Sequence, residues 1–184
     1  MAARRGIVII ALLAVVLAVR SAPAVGQETV LCNGEVATIV GTEKRDVLLG
    51  TEGPDVMAGL GGNDVLRGFG GDDIMCGDNG SDRLFGGPGS DVLLGGKKND
   101  IVKGDGQADT LFGNQGNDRI IGGGGADILE GGSGLRDRLF GKGGSDSCRD
   151  RQNTFTTSHE TCEELLMPIG YEVTGQPVER LNLD

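Results

Sequence analysis

A nine-residue phrase recurs from Gly41 to Arg149, and few folds can accommodate it. Period nine holds without slippage through ten copies, ending at Glu130. An eleventh copy, GGSGLRDRLF (131–140), carries one extra residue, and a twelfth, GKGGSDSCR (141–149), restores the period. Glycine opens every copy. The sixth place is Asp46, Asp55, Asp64, Asp73, Asp82, Asp91, Asp100, Asp109, Asp118 and Asp127, then Asp137 and Asp146 beyond the insertion. The eighth place is Leu48, Met57, Leu66, Met75, Leu84, Leu93, Val102, Leu111, Ile120, Leu129, Leu139 and Cys148. Units this short cannot bury a core singly, so they must stack on one another as a solenoid.

Glycine at places one and four predicts positive φ at both, and a tight turn over the first six residues of each copy. The last three residues read as strand. Place seven is often β-branched (Val47, Val56, Val65, Ile74, Val92, Ile101, Ile128), and alternation sends only place eight inward. A three-residue strand needs neighbours. Two copies therefore make one 18-residue coil of turn, strand, turn, strand, each strand pairing in parallel with the strand two copies away. The expected fold is all-β, a parallel β-roll: a right-handed solenoid with two short strands per coil and about six coils stacked at ~4.8 Å.

Stacking creates an electrostatic problem. Aspartates two copies apart lie above one another, in two columns of six. Two unit charges ~4.8 Å apart repel by ~0.9 kcal/mol even in water-like dielectric, and about ten such contacts oppose folding by ~9 kcal/mol. That equals the whole stability of a typical domain. With no tryptophan, one tyrosine and five phenylalanines, the core is too thin to offset it. A cation between the carboxylates is required. Carboxylate plus backbone carbonyl from glycine-rich turns is an all-oxygen donor set, which suits Ca²⁺ better than the stricter octahedron of Mg²⁺. With one histidine and no Cys-x-x-Cys spacing, zinc and copper are poor fits.

The phrase GGxGxDx(apolar)x resembles the hemolysin-type calcium-binding repeat, the RTX nonapeptide repeat, over residues 41–149. The resemblance implies several Ca²⁺ ions, each held between the turn of one copy and that of the copy two further on, with calcium-dependent folding in the metal-bound β-roll. Its cleanest turns are GLGGND (59–64), GFGGDD (68–73), GDNGSD (77–82), GGPGSD (86–91), GNQGND (113–118), GGGGAD (122–127) and GKGGSD (141–146). The implied sites join Asp64 with Asp82, Asp73 with Asp91, Asp127 with Asp146 and, behind Pro54, Asp55 with Asp73. Lys44, Lys98 and Gln107 replace the fourth-place glycine, so weaker sites are expected around Asp46, Asp100 and Asp109. The extra residue beside Leu135 and Arg136 is expected to bulge the eleventh turn and disturb Asp137. The catalytic and pore-forming domains of family proteases and toxins have no counterpart in these residues, so those activities are not carried over.

Outside the repeat, residues 1–26 have the pattern of a secretory signal peptide. Arg4 and Arg5 precede the apolar run GIVIIALLAVVLAV (6–19), which is shorter than the ~20 residues of a spanning helix, and small residues follow at Ala22 and Ala24. The mature protein is therefore expected to be secreted, with no membrane span. The formal charge of −10 repels nucleic acid and attracts cations, making calcium the expected partner, with an extracellular protein or surface a further possibility. Four cysteines in an exported chain favour two disulfides. Of three pairings, Cys148–Cys162 closes a short loop and leaves Cys32–Cys76. Residues 27–40 (QETVLCNGEVATIV) read as an N-terminal cap in which Ile39 continues the inward column, and 150–184 as a C-terminal cap and loose tail.

Enzymatic readings fare poorly. Ser145, Asp146 and His159 could be written as a triad, but Asp146 belongs to the repeat. GLGG (59–62) and GGGG (122–125) lack the following helix of a phosphate loop. An interaction module is the stronger alternative. Even-numbered copies place Val56, Ile74, Val92, Thr110 and Ile128 at place seven and Ala58, Cys76, Leu94 and Phe112 at place nine, an apolar strip of a few hundred Å² that could meet a partner. Odd copies carry Arg67, Arg83, Lys103, Arg119 and Arg138 at such positions.

Overall fold

The computed structural model describes residues 29–150 and 162–165. Residues 1–28, on which the expected signal peptide falls, His159 and most of the C-terminal segment lie outside the described residues. In chain order the first strands are β1 (Leu31–Cys32), β2 (Glu35–Val36), β3 (Ile39–Val40), β4 (Val47–Leu49), β5 (Val56–Ala58), β6 (Val65–Arg67) and β7 (Ile74–Cys76). Longer ones follow: β8 (Arg83–Pro88), β9 (Val92–Lys97), β10 (Ile101–Gly106), β11 (Thr110–Gln115), β12 (Arg119–Gly124), β13 (Ile128–Ser133) and β14 (Arg138–Gly143). β15 (Asp146–Arg149) and β16 (Cys162–Leu165) complete the order. There is no helix among the described residues.

Odd copies build a six-stranded sheet ordered β14-β12-β10-β8-β6-β4. Even copies, flanked by β3 and β16 from outside the repeat, build an eight-stranded sheet ordered β16-β15-β13-β11-β9-β7-β5-β3. Pairing within both is parallel and sets each place over the same place two copies away, as in Leu66 beside Leu84 and Met75 beside Leu93. This is the expected β-roll. Its core is a double column of eighth-place side chains, Met57 through Cys148, each no more than 1% exposed. Ile39 pairs with Met57 and packs against the column, as its alternation implied.

Three features depart from the simplest reading. First, from β8 onward the ladder runs beyond place nine into places one to three of the next copy, so Asp105 pairs with Gly87 and Gly123. The bend is confined to places four to six. Second, the extra residue of copy eleven does not disturb the stack. Leu135 is thrown outward, 72% exposed, while Arg119 still pairs with Arg138 and Ile120 with Leu139. A turn that faces solvent can lengthen without moving the strands it joins. Third, β1 and β2 form an antiparallel hairpin across Asn33-Gly34, both at positive φ, the turn that an Asn-Gly pair favours. β1 packs against β5 and β7, and the Cys32–Cys76 disulfide pins it there. Ala58 and Cys76 are buried beneath it, so the apolar strip of the even face is shorter than the sequence suggested: Leu94 and Phe112 are half-buried and Ile128 exposed. Cys148 is also disulfide-bonded, while the side chain of Cys162 lies outside the described residues.

Candidate metal centre

Each sixth-place aspartate ends a turn and starts a strand. In copies three to twelve its side chain is folded inward, leaving the residue between 0% and 3% exposed. Burying a carboxylate demands partners. One oxygen has them. The Oδ1 of Asp64 accepts the backbone N–H of Asp46 at 2.8 Å, that of Asp82 the N–H of Asp64 at 2.7 Å, and that of Asp100 the N–H of Asp82 at 2.8 Å. Asp118 and Asp137 continue this column. The other column runs Asp55, Asp73, Asp91, Asp109, Asp127 and Asp146 by the same bond. Asp137 keeps its rung at 2.8 Å despite the insertion before it.

The second oxygen is different. In all ten aspartates of copies three to twelve Oδ2 is shielded from solvent and has no hydrogen-bond partner. Folded proteins leave only a few such groups per hundred residues, each at ~1–3 kcal/mol, so ten in two rows mark a missing class of partner. Asp46 and Asp55 are the exceptions. Each is half-buried and its Oδ2 accepts two bonds from the second-place threonine: the N–H and hydroxyl of Thr42 at 2.7 and 2.8 Å, and those of Thr51 at 2.6 and 3.0 Å.

Glycine's role at place one is steric, which corrects the expectation of positive φ there. Positive φ falls at place two in each of copies three to twelve, even where it is Leu60, Phe69 or Lys142, and at place four in most. At place one a β-carbon would collide. On Gly59 it would stand 2.8 Å from Oδ2 of Asp64 and 2.8 Å from the carbonyl oxygen of Gly77. Gly50 shows the same pair, Asp55 Oδ2 and Gly68 O, both at 2.7 Å. The carboxylate and a carbonyl from the copy two further on thus share the space that a side chain would fill.

Burial is the main force on the acidities of these groups, and repulsion between stacked carboxylates adds to it. Asp73, Asp82, Asp91 and Asp118 are pushed up to about 6, Asp109 to about 7 and Asp100 to about 8. For Asp100 the repelling neighbours are Asp118 and Asp82. Asp64, Asp127 and Asp137 are raised for the same reasons. A divalent cation would reverse this preference for the neutral form.

No three His, Cys, Asp or Glu side chains converge on one point among the described residues. Each of copies three to twelve adds one buried carboxylate to the columns, and backbone carbonyls such as that of Gly77 lie beside it. An all-oxygen set of that kind fits Ca²⁺. A family model for the RTX calcium-binding nonapeptide repeat matches residues 49–84, 85–120, 104–135 and 112–148, together more than half of the chain. The chain belongs to the RTX calcium-binding nonapeptide repeat family. No curated protein matches it. RTX repeats bind calcium, so this β-roll is a calcium-binding repeat protein. The match starts at Leu49, the last residue of the first copy, in which Thr42 and Lys44 replace the RTX glycines.

Fifth-place side chains form an outer ladder that the repeat pattern did not single out: Asn63 accepts the N–H of Ser81 at 2.9 Å, Asp72 that of Ser90 at 2.8 Å, and Asn99 that of Asn117 at 2.9 Å. The legible signal was an Asn or Asp at place five followed, 18 residues on, by a small or polar residue. Asp146, the acid of the rejected triad, is held in the RTX column by the N–H of Asp127 at 3.0 Å. No helix among the described residues is long and apolar enough to cross a membrane.

Proposed function

We propose that this RTX protein is an exported, non-catalytic structural or adhesive module whose roll is held closed by several calcium ions. Asp64, Asp73, Asp82, Asp91, Asp100, Asp109, Asp118, Asp127, Asp137 and Asp146 serve as carboxylate ligands, with turn carbonyls completing each shell. Bound Ca²⁺ supplies positive charge between stacked carboxylates. The chain's own part is to hold each Oδ1 by a backbone N–H, aim Oδ2 at the turn, and keep water out by packing glycine against it. One observation carries this reading: the rows of buried Oδ2 atoms without a protein partner. Asp46 and Asp55, already satisfied by threonine, contribute weakly or not at all.

The test is circular dichroism during a Ca²⁺ titration of chelator-stripped protein, with Mg²⁺ as control. β-signal should rise with Ca²⁺ in the micromolar to millimolar range and respond little to Mg²⁺. The double variant Asp73→Asn, Asp91→Asn should raise the calcium required and lower the bound stoichiometry. A full fold in EDTA, with no uptake of Ca²⁺ on its return, would refute the reading.

A further inference from the structure

The odd sheet gathers charge of the opposite sign. Place eight points into the core, so places seven and nine of β4, β6, β8, β10, β12 and β14 form the outer face of the sheet's three-residue segments, with Asp105 and Lys142 beyond them at place two of the longer strands. No carboxylate occupies any of those seventh and ninth places, although acids outnumber bases by ten in the whole chain. Five cations do. Arg67 on β6, Arg83 on β8, Lys103 on β10, Arg119 on β12 and Arg138 on β14 put a cation at place seven or nine of each of five consecutive strands. Parallel register aligns them into a single band: Arg67, Phe85 and Lys103 succeed one another in the ninth-place row, and Arg83, Ile101, Arg119 and Arg138 in the seventh-place row. At a strand spacing of ~4.8 Å the band is ~19 Å long.

The band is also pre-organised. The guanidinium of Arg67 lies 5.3 Å from the ring centre of Phe85, and that of Arg119 lies 4.8 Å from that of Phe140, so each stacks on a neighbouring strand's aromatic. Arg67, Arg83, Arg119 and Arg138 are exposed, and among the described residues none has an acidic partner. Lys103 alone is paired, to Asp105 at the edge of the face. An exposed row of arginines without carboxylates runs against the field of the rest of the molecule, and arginine's planar fork recognises carboxylate and sulfate oxygens in pairs.

We infer that the odd face binds a linear acidic polysaccharide lying along the roll axis, its carboxylate or sulfate groups meeting successive arginines. One cation at place seven or nine of each strand suits a polymer with about one charge per sugar unit. Duplex DNA carries a charge every ~1.7 Å of axis, too dense for this ladder and strongly repelled by the acidic remainder of the chain.

The probe is chondroitin sulfate, titrated into calcium-saturated protein at low salt, with neutral dextran, oligo-dT and phosphatidylglycerol vesicles as separate arms. Chondroitin sulfate should bind and dextran should not. Arg83→Ser, Arg119→Ser and Arg138→Ser combined should weaken binding about tenfold or more and flatten its salt dependence. Arg149→Ser, on the outer face of the even sheet, should leave it unchanged. The calcium-dependent circular dichroism of each variant is recorded first, which separates a failed roll from a failed face. If the triple variant does not fold, Arg83→Ser and Arg138→Ser singly should each cost about threefold. Undiminished binding by folded variants, or tighter binding of oligo-dT or vesicles than of chondroitin sulfate, would overturn the inference.

Discussion

Lys98 stands at a fourth place that RTX turns give to glycine, holds φ at 71°, and lies close enough to Asp82 to favour its ionised form. A cation that helps a lone carboxylate opposes a divalent ion at the same spot. Lys98→Gly should therefore lower the Ca²⁺ midpoint about fivefold, for ~1 kcal/mol of relieved repulsion and strain, read from a circular dichroism titration. The threonines of the first two turns do the reverse. Thr42→Val with Thr51→Val removes both hydroxyl donors to Asp46 and Asp55, and should cost about 1–2 kcal/mol in urea unfolding at saturating Ca²⁺. Aspartate and glycine were both legible at their places from the sequence. Why glycine is needed at place one was not: the collision comes from Asp64 Oδ2 and Gly77 O, an atom five residues away and another 18 residues away, which meet only once coils stack.

The hairpin β1–β2 holds the even face through a covalent bond to β7, the fourth copy, and so spans two coils. Closing a loop across 44 residues of sequence separation restricts the unfolded chain by ~4 kcal/mol in the chain-entropy account. The double variant Cys32→Ser, Cys76→Ser should lose up to about that much in urea unfolding at saturating Ca²⁺, and should expose Ala58 and the neighbouring strip to an apolar dye. The Asn33-Gly34 pair and the apolar Leu31 and Val36 were a readable hairpin signal. Its docking against β5 and β7 was not readable, because the residues it covers also satisfy the pattern of an exposed strand face. Strand length was underestimated for a similar reason. Gly86-Gly87-Pro88 has no strand propensity, yet β8 runs through it because the coils on either side hold it in parallel register.

The whole molecule is a balance between stacked negative charge and what neutralises it. Protons and calcium compete for that task. The folded-state values of Asp73, Asp82, Asp91 and Asp118 are about 6, of Asp109 about 7 and of Asp100 about 8, against an ordinary 3.8. A folded state that binds protons more tightly gains stability as pH falls. Metal-stripped protein should accordingly be most stable near pH 4, losing that contribution as pH rises through about 6 to 8, whereas the Ca²⁺ midpoint should increase as pH drops from 8 to 5.5. Thermal melts of the stripped protein and calcium titrations at several pH values check both trends, and a metal-free roll that gained stability toward pH 8 would contradict them. Period, coil length, the inward column, parallel pairing and the need for a cation all followed from the sequence alone, since each is a property of one nine-residue unit multiplied by stacking. The stacking of Arg67 and Arg119 on aromatic rings of neighbouring strands, the docking of the hairpin and the burial of ten Oδ2 atoms were decided by the tertiary structure. Each depends on which residues of distant copies become neighbours, and no unit carries that information by itself.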